Sequence, residues 1–187
     1  MGTLEGFPNP PNSGATTMYY LIVRQFARTL KNLDAVLEKA EAHAKARKFD
    51  PNNYLTERMY PDMLPFAAQI RIACDHAKSA ASSLSGKEAP VHEDNEKTFE
   101  EVRGRIAKCL AYLDTFTEKD FEKTSPKQIV KLVRQPGKGL HADEYLLARQ
   151  VPNFFFHVTT AYDLLRRGGV EVGKSDFLGH LNVVDAT

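Results

Sequence analysis

The residues best suited to chemistry lie in the last long apolar segment of the chain, at Asn153 and His157. With Thr160 and Leu164 they follow spacings of four, three and four, which place them on one face of a helix. An imidazole there could act as a general acid or base near neutral pH, and an amide one turn away could orient a substrate carbonyl or a water molecule. The alternative is a core histidine that bonds to a carbonyl and fixes helix packing.

Two further candidates, Asp75 and His76, lie in an earlier helical segment. On ideal helical geometry His76 lies about 120° from the apolar stripe, at the edge of the buried face. Asp75 lies further toward the polar side, in line with Arg71 and Lys78, as is typical of a solvated helix charge. The pattern leaves open which of the two completes a site with His157.

Four amphipathic segments must position these side chains. Apolar residues recur at alternating spacings of three and four over residues 19–45, and the same spacing predicts a second helix over residues 61–86. A third stripe covers residues 99–116, and a fourth helix runs over residues 143–167, with Pro152 inside it as an expected kink. The sequence therefore predicts an all-α fold, a bundle of four helices.

The helical pattern breaks before the last helix, over residues 118–142. A short β-branched run, residues 129–133, is followed by Pro136-Gly137 and Gly139, which together predict a small hairpin or loop projecting from the bundle. An insertion of this length suits a lid or a mere decoration. Asp143 is then the expected N-cap of the last helix.

The composition limits the partners and the location. The 187 residues suit one domain, residues 18–180, between tails at 1–17 and 181–187. Lys and Arg number 25 against 24 Asp and Glu, for a net charge of +1, so neither nucleic acid nor a membrane is the expected partner. The N-terminus lacks a secretory signal, and Cys74 and Cys109 are expected as buried thiols. Together these features predict a cytoplasmic protein.

The chain resembles the DinB/YfiT-like superfamily, within an uncharacterised domain-of-unknown-function branch. Three stretches carry the resemblance: MLPFAAQIRIACDHAKSAASSLSG, TFEEVRGRIAKCLAYLD and PNFFFHVTTAYDLLRRGGVEVGKSDFLGHL. The resemblance implies an up-and-down four-helix bundle that often homodimerises. Many members bind a divalent metal through one His from helix two and a His-x-x-x-His pair from helix four, and characterised members include thiol-dependent transferases and isomerases.

Carried over to this sequence, the helix-four pair falls on Asn153 and His157, so Asn replaces the first His. The helix-two ligand falls on Asp75 or His76. An Asn carbonyl oxygen is a poor substitute for imidazole at Zn²⁺ or Ni²⁺, which excludes an intact three-His site. The sequence therefore favours a chain without a cofactor, with a divalent metal at His76 and His157 as the alternative.

No Gly-rich phosphate loop and no G-x-S-x-G elbow are present, which argues against kinase, dinucleotide-enzyme and hydrolase functions. The favoured function is a small-molecule enzyme or binder that performs metal-independent acid/base chemistry in an interhelical pocket, as isomerisation, elimination or transfer. His157 would be the acid or base, Asn153 would position the ligand, and Asp75 or His76 would complete the catalytic set. Two alternatives remain: a non-catalytic dimeric bundle with a degenerate metal site, and a metal-dependent thiol transferase.

Overall fold

The structure is a computed structural model that describes residues 17–186. Most of the described chain is helical. The helices are α1 (Met18–Arg47), α2 (Phe66–Ser85), α3 (Phe99–Leu113), α4 (Val151–Arg167) and the short α5 (Lys174–Leu178), with 3₁₀ turns at Pro51–Thr56 and Glu118–Phe121. The expected N-terminal tail lies outside the described residues except for Thr17, whose hydroxyl caps α1 by accepting from the Tyr20 backbone N–H at 3.3 Å.

The second helix begins later than its apolar pattern predicted. It starts at Phe66, not near Pro61, and it ends as predicted at Gly86, which adopts φ +80°. Pro65 explains the late start, because a proline has no N–H to donate to Pro61 and disfavours helical backbone at Leu64. Residues 60–63 form a turn instead, in which the Met63 N–H donates to the Tyr60 carbonyl at 3.0 Å.

One apolar core joins the four long helices. Phe26 of α1 packs against Phe154 of α4 with ring centroids 4.4 Å apart, and Phe66 of α2 stacks on Phe99 of α3 at 6.0 Å. All four rings are almost completely buried. Helix α2 lies between α3 and α4 and contacts both. The predicted all-α class is confirmed, and α2 and α4 are the pair that positions the candidate site.

A hairpin precedes the last long helix, as predicted. Strands β1 (Ile129–Lys131) and β2 (Gly139–His141) pair antiparallel in the register Ile129 with His141, Val130 with Leu140, and Lys131 with Gly139. A Cβ at Gly139 would lie 2.6 Å from Ile129 Cγ2 and 2.9 Å from the Val130 carbonyl oxygen, so the close pairing requires glycine. The Val130 side chain is buried and anchors the hairpin to the helices.

The entry into the last helix differs from the sequence prediction. Asp143 does not cap it, because its carboxylate accepts a hydrogen bond from the Tyr19 hydroxyl of α1 at 2.5 Å. The chain instead passes through a short helical turn, Ala142–Glu144, into a π-helical segment, Tyr145–Gln150. The expected disturbance near Pro152 takes this form: Pro152 has no N–H, and the π-helical segment just before it widens the helix.

Two further features of the described chain concern its cysteines and the length of its apolar helices. Cys74 and Cys109 are free and buried, as expected. Between residues 17 and 186 no helix is long and apolar enough to cross a membrane.

Candidate functional site

Two histidines and two glutamines meet between α2 and α4. The Nδ1 atom of His157 lies 2.7 Å from Gln69 Oε1, and the Nδ1 atom of His76 lies 2.5 Å from Gln150 Oε1. Gln69 and His76 belong to α2, whereas Gln150 ends the π-helical segment and His157 lies on α4. We call these four residues the Gln–His quartet.

The quartet has a simple origin in the sequence. Both segments place a glutamine seven residues before a histidine, as QIRIACDH (69–76) and QVPNFFFH (150–157). Seven residues are about two helical turns, so each Gln and its following His lie on one helix face. Because the early residue of one segment pairs with the late residue of the other, the two segments run antiparallel. Neither glutamine was among the predicted site residues, although this repeated spacing was a signal in the sequence.

The quartet is buried on its core side and reaches the surface on the other. Gln69 and Gln150 are 1% and 0% exposed, His157 is 9% exposed, and His76 is half-buried. The two imidazoles stack with centroids 5.9 Å apart and 15° between their planes. Phe156, which is 56% exposed, packs edge-on against His157 at 5.2 Å. A ligand could therefore approach the histidines past Phe156.

Hydrogen bonding fixes which nitrogen of His157 carries the proton. Gln69 Nε2 donates to the Leu64 carbonyl at 2.9 Å, so its Oε1 is the atom that faces the imidazole. An amide oxygen only accepts, and His157 Nδ1 must therefore be protonated. Gln150 Oε1 likewise faces His76 Nδ1, so an Nδ1–H of His76 would donate to it. Each neutral imidazole then keeps a lone pair on Nε2, which can accept a proton or a hydrogen bond.

The surroundings hold both imidazoles in the neutral form. Burial, followed by the nearby charge of a protonated His76, lowers the pKa of His157 to about 4. Burial also lowers the pKa of His76, against an opposing effect of the hydrogen bond to Gln150, and the positive charge of Arg149 lowers it further. At pH 7 the site thus offers two neutral acceptors.

Gln150 leaves one donor unused. Its Nε2 atom is buried and has no hydrogen-bond partner among the residues that the structure describes. A buried amide without a partner costs about 1–3 kcal/mol, so unpaired donors are rare in native interiors. The π-helical segment that ends at Gln150 is the type of distortion that occurs frequently at functional sites.

The other two predicted site residues, Asn153 and Asp75, do not bond to the quartet histidines. The Asn153 amide nitrogen donates to the Arg149 carbonyl of its own helical segment at 2.6 Å. The Asp75 carboxylate bonds to Arg105 of α3 at 2.9 Å and to Lys78 at 3.2 Å. Of the two predicted candidates on α2, Asp75 and His76, the structure thus brings His76 to His157.

The described residues do not form the three-ligand metal site that the DinB/YfiT-like resemblance implies. Within residues 17–186, no three His, Cys, Asp or Glu side chains are grouped so that they could hold a metal ion. His76 and His157 supply two imidazoles, and the Asn153 amide is directed to its own helix. Zn²⁺ sites in proteins normally have three or four protein ligands, so these residues do not fit one.

Comparison with known proteins identifies the family. The chain matches the model for a domain of unknown function (DUF1993) over residues 18–178. It belongs to this family. Among solved structures, a DinB family member protein from Shewanella denitrificans is 42% identical, with a TM-score of 0.85 over 90% of this chain and 95% of that chain. The expected DinB-like, domain-of-unknown-function membership is therefore confirmed. No curated protein matches the chain.

Proposed function

We propose that this DinB-like protein is a small-molecule enzyme or binder in which the Gln–His quartet presents neutral imidazole to a ligand between α2 and α4. The scaffold in this proposal is the up-and-down four-helix bundle, with the hairpin inserted before its last helix. One observation carries the proposal: a glutamine oxygen holds the Nδ1 proton of each histidine, which leaves both Nε2 lone pairs for a ligand.

The chemistry is proton transfer at His157 Nε2, as part of an isomerisation, elimination or transfer. A pKa of about 4 keeps this nitrogen unprotonated at pH 7 until a ligand binds. Negative charge on a ligand would raise that pKa and make the imidazole a stronger base when it is needed. Gln69 Oε1 would then accept the hydrogen bond from the Nδ1–H of the imidazolium and keep the ring oriented. Asn153, one turn before His157, retains a carbonyl oxygen for a ligand donor.

A second candidate function is a non-catalytic dimeric bundle with a degenerate metal site. The reciprocal pairing favours it, because two Gln–His bonds between antiparallel segments also fix their register. We propose a homodimer in the cytoplasm for both functions, since the family resemblance implies the dimer and the composition predicted the location. Size-exclusion chromatography with light scattering tests the dimer.

Ligand binding at His157 tests the first proposal. Nitrogen-detected NMR of the imidazoles at pH 7 should show neutral rings with protonated Nδ1, and molecules from a broad metabolite library should shift the His157 Nε2 resonance. His157→Gln should weaken such a ligand by about tenfold or more, the scale of one lost hydrogen bond to a buried group. His43→Gln is the matched control, since His43 is half-buried and bonds to Tyr54 outside the quartet. A library that leaves His157 unmoved would refute the proposal.

Exchanging one pair separates a binding site from a register lock. Gln69→His and His157→Gln singly should each cost about 1–3 kcal/mol of stability, because each leaves the partner without its bond. The double variant restores one His opposite one Gln and should recover much of that loss. If ligand binding stays lost in the double variant, the location of the imidazole matters for function. Loss and recovery of stability, with no ligand bound even by the unmodified protein, would favour the non-catalytic alternative.

A further inference from the structure

The segment that contains the β1–β2 hairpin, residues 123–142, carries a block of positive charge. It includes five Lys or Arg residues and no Asp or Glu, so its charge is +5. Because the whole chain has a net charge of +1, the remaining residues together carry −4. The five cations of the segment are Lys123, Lys127, Lys131, Arg134 and Lys138. The hairpin segment therefore differs in sign from the rest of the protein.

These five cations are available to a partner. Each of them is exposed, and none forms an ion pair with any residue that the structure describes. Exposed lysines elsewhere in the fold do find carboxylates, such as Lys39 at 2.5 Å from Asp176 and Lys87 at 2.8 Å from Asp120. A cluster of like charges without counter-charges attracts a partner of opposite sign.

The outer face of the hairpin also exposes two aliphatic side chains. The β1 side chains alternate between exposed and buried, so Ile129 and Lys131 share the face that points away from the helices. Val133 follows two residues later, in the turn. Ile129 is 58% exposed and Val133 is 98% exposed. A partner that contacts Lys131 would therefore meet an apolar side chain on either side of it.

Hydrogen bonds and burial hold this face in a fixed position. Thr124 Oγ1 donates to the Leu84 carbonyl at 2.8 Å, and Gln128 Nε2 donates to the Ser83 carbonyl at 3.3 Å. Both carbonyls belong to α2. Val130, on the inner face, is buried against the helices. Since the surface is ordered before binding, a partner pays little conformational entropy to dock on it.

The composition of the hairpin favours a protein as the partner. No Phe, Tyr or Trp lies between residues 122 and 144. Single-stranded nucleic acids are commonly bound by stacking of bases on aromatic side chains, and aromatic rings are the usual anchors at a membrane interface. Carboxylates and aliphatic side chains need no aromatic ring, and they match the cations and the two exposed aliphatic residues of the hairpin.

We propose that the outer face of the hairpin is a docking surface for an acidic segment of a partner protein, whose carboxylates pair with the hairpin cations and whose aliphatic side chains pack on Ile129 and Val133. The inference goes beyond the proposed function, because it requires no chemistry at the Gln–His quartet.

A short peptide of alternating Glu and Val is the probe, and a peptide of alternating Gln and Val is its neutral counterpart. Fluorescence anisotropy of the labelled peptides at pH 7 should show the Glu peptide binding at least about tenfold more tightly, as expected for several charge-assisted contacts. Added salt should weaken this binding, since salt screens exposed charges. Equal binding of the two peptides, or no binding of the acidic one, would overturn the proposal.

Substitutions in the hairpin locate the binding. The double variant Lys131→Gln and Arg134→Gln should weaken the acidic peptide by about threefold to tenfold, the scale of two exposed ion pairs. Val133→Ser should weaken it by about threefold, because less apolar surface is buried on docking. Circular dichroism melts verify that each variant is folded. Unchanged peptide binding by the double variant would contradict the assigned surface.

Lys45→Gln together with Arg47→Gln is the matched control, because it also removes one Lys and one Arg. Both residues are exposed and form no ion pair within the described chain. Lys45 lies twenty-six residues after Tyr19, the residue of α1 that bonds to Asp143 beside the hairpin, or about 39 Å along the helix axis. The control should bind the acidic peptide as the unmodified protein does, and an equal loss in both double variants would indicate a nonspecific charge effect and refute the docking surface.

Oligothymidine and phosphatidylserine vesicles test the other anionic partners. Both should bind the unmodified protein more weakly than the acidic peptide does. Tighter binding of either one, lost in the hairpin double variant, would assign the surface to phosphate groups and overturn the protein partner.

Discussion

His157 should make the stability of the fold depend on pH between 7 and 5. Its pKa is about 4 in the folded chain, chiefly because of burial, whereas an unfolded histidine has a pKa near 6.5. Below pH 6.5 the unfolded chain therefore takes up a proton that the folded chain does not. The contribution of the neutral imidazole is complete above about pH 6.5 and is lost as the pH falls toward 4.

The two pKa values set the size of the effect. Proton linkage gives a loss of about 2 kcal/mol between pH 7 and pH 5, and about 3 kcal/mol near pH 4. For a chain of this length, 2 kcal/mol lowers Tm by about 4–8 °C. Carboxylates such as Asp120 and Asp176, whose pKa values are lowered by their bonds to Lys87 and Lys39, lose their contributions at still lower pH. The interval from pH 7 to pH 5 therefore reports mainly on histidine.

Urea unfolding at pH 7, 6 and 5 measures the effect in the unmodified chain and in His157→Gln. The variant keeps His76 and His92, the other histidines with lowered pKa values, so its stability should still fall with pH. The fall from pH 7 to pH 5 should be about 2 kcal/mol smaller than in the unmodified chain. An NMR titration reads the pKa of His157 directly, without any substitution. The reasoning is wrong if both proteins lose stability equally, or if His157 titrates near 6.5.

Three further predictions concern other parts of the molecule. Arg105→Gln should lower the free energy of unfolding in urea by about 3–5 kcal/mol, because the buried guanidinium pairs with three carboxylates. Arg24→Gln, which loses one surface ion pair, should lower it by at most about 1 kcal/mol. Similar losses in the two variants would contradict these roles. Cys74 and Cys109 should resist alkylation in the native protein and react in denaturant, since both are buried and the hydrogen bond with Cys109, followed by burial, raises the pKa of Cys74; rapid native labelling would refute this. Adding Zn²⁺ or Ni²⁺ should leave Tm within the scatter of replicate melts, because the quartet supplies only two imidazoles; stoichiometric metal in elemental analysis would contradict it.

Much of the fold could be predicted because apolar periodicity depends on local sequence. The stripes that predicted α1 and α3 recur as buried faces in the structure, and the turn residues around Gly139 predicted the hairpin. The errors arose where a distant contact or a proline overrode a local preference. Asp143 is a residue type that commonly caps helices, but its carboxylate accepts a hydrogen bond from the Tyr19 hydroxyl of α1 instead. The start of α2 moved because Pro65 cannot continue a helix begun at Pro61.

The candidate site was harder to predict because its contacts join distant segments. The helix faces of His157 and His76 could be read from spacing, and the seven-residue Gln-to-His spacing was a signal for the glutamines, but which residues pair depends on how the helices pack. Gln69 and Gln150 are polar residues that usually lie on the surface, and nothing local marks them as buried. The position of Gln150 also depends on the π-helical turn, which an ideal spacing of 3.6 residues does not represent.

The quartet gives a structural context for Asn153, which stands where the family resemblance implies a metal-binding histidine. Histidines that bind a metal usually donate their second N–H to an acceptor in the protein, which orients the ring. Gln69 and Gln150 are such acceptors for His157 and His76, yet the third imidazole of the resemblance is an asparagine that bonds within its own helical segment. Two oriented imidazoles thus remain, fewer than the three or four protein ligands of a usual Zn²⁺ site. The replacement that weakens a metal site therefore leaves the His157 imidazole free to take a proton from a ligand, as the proposed function requires.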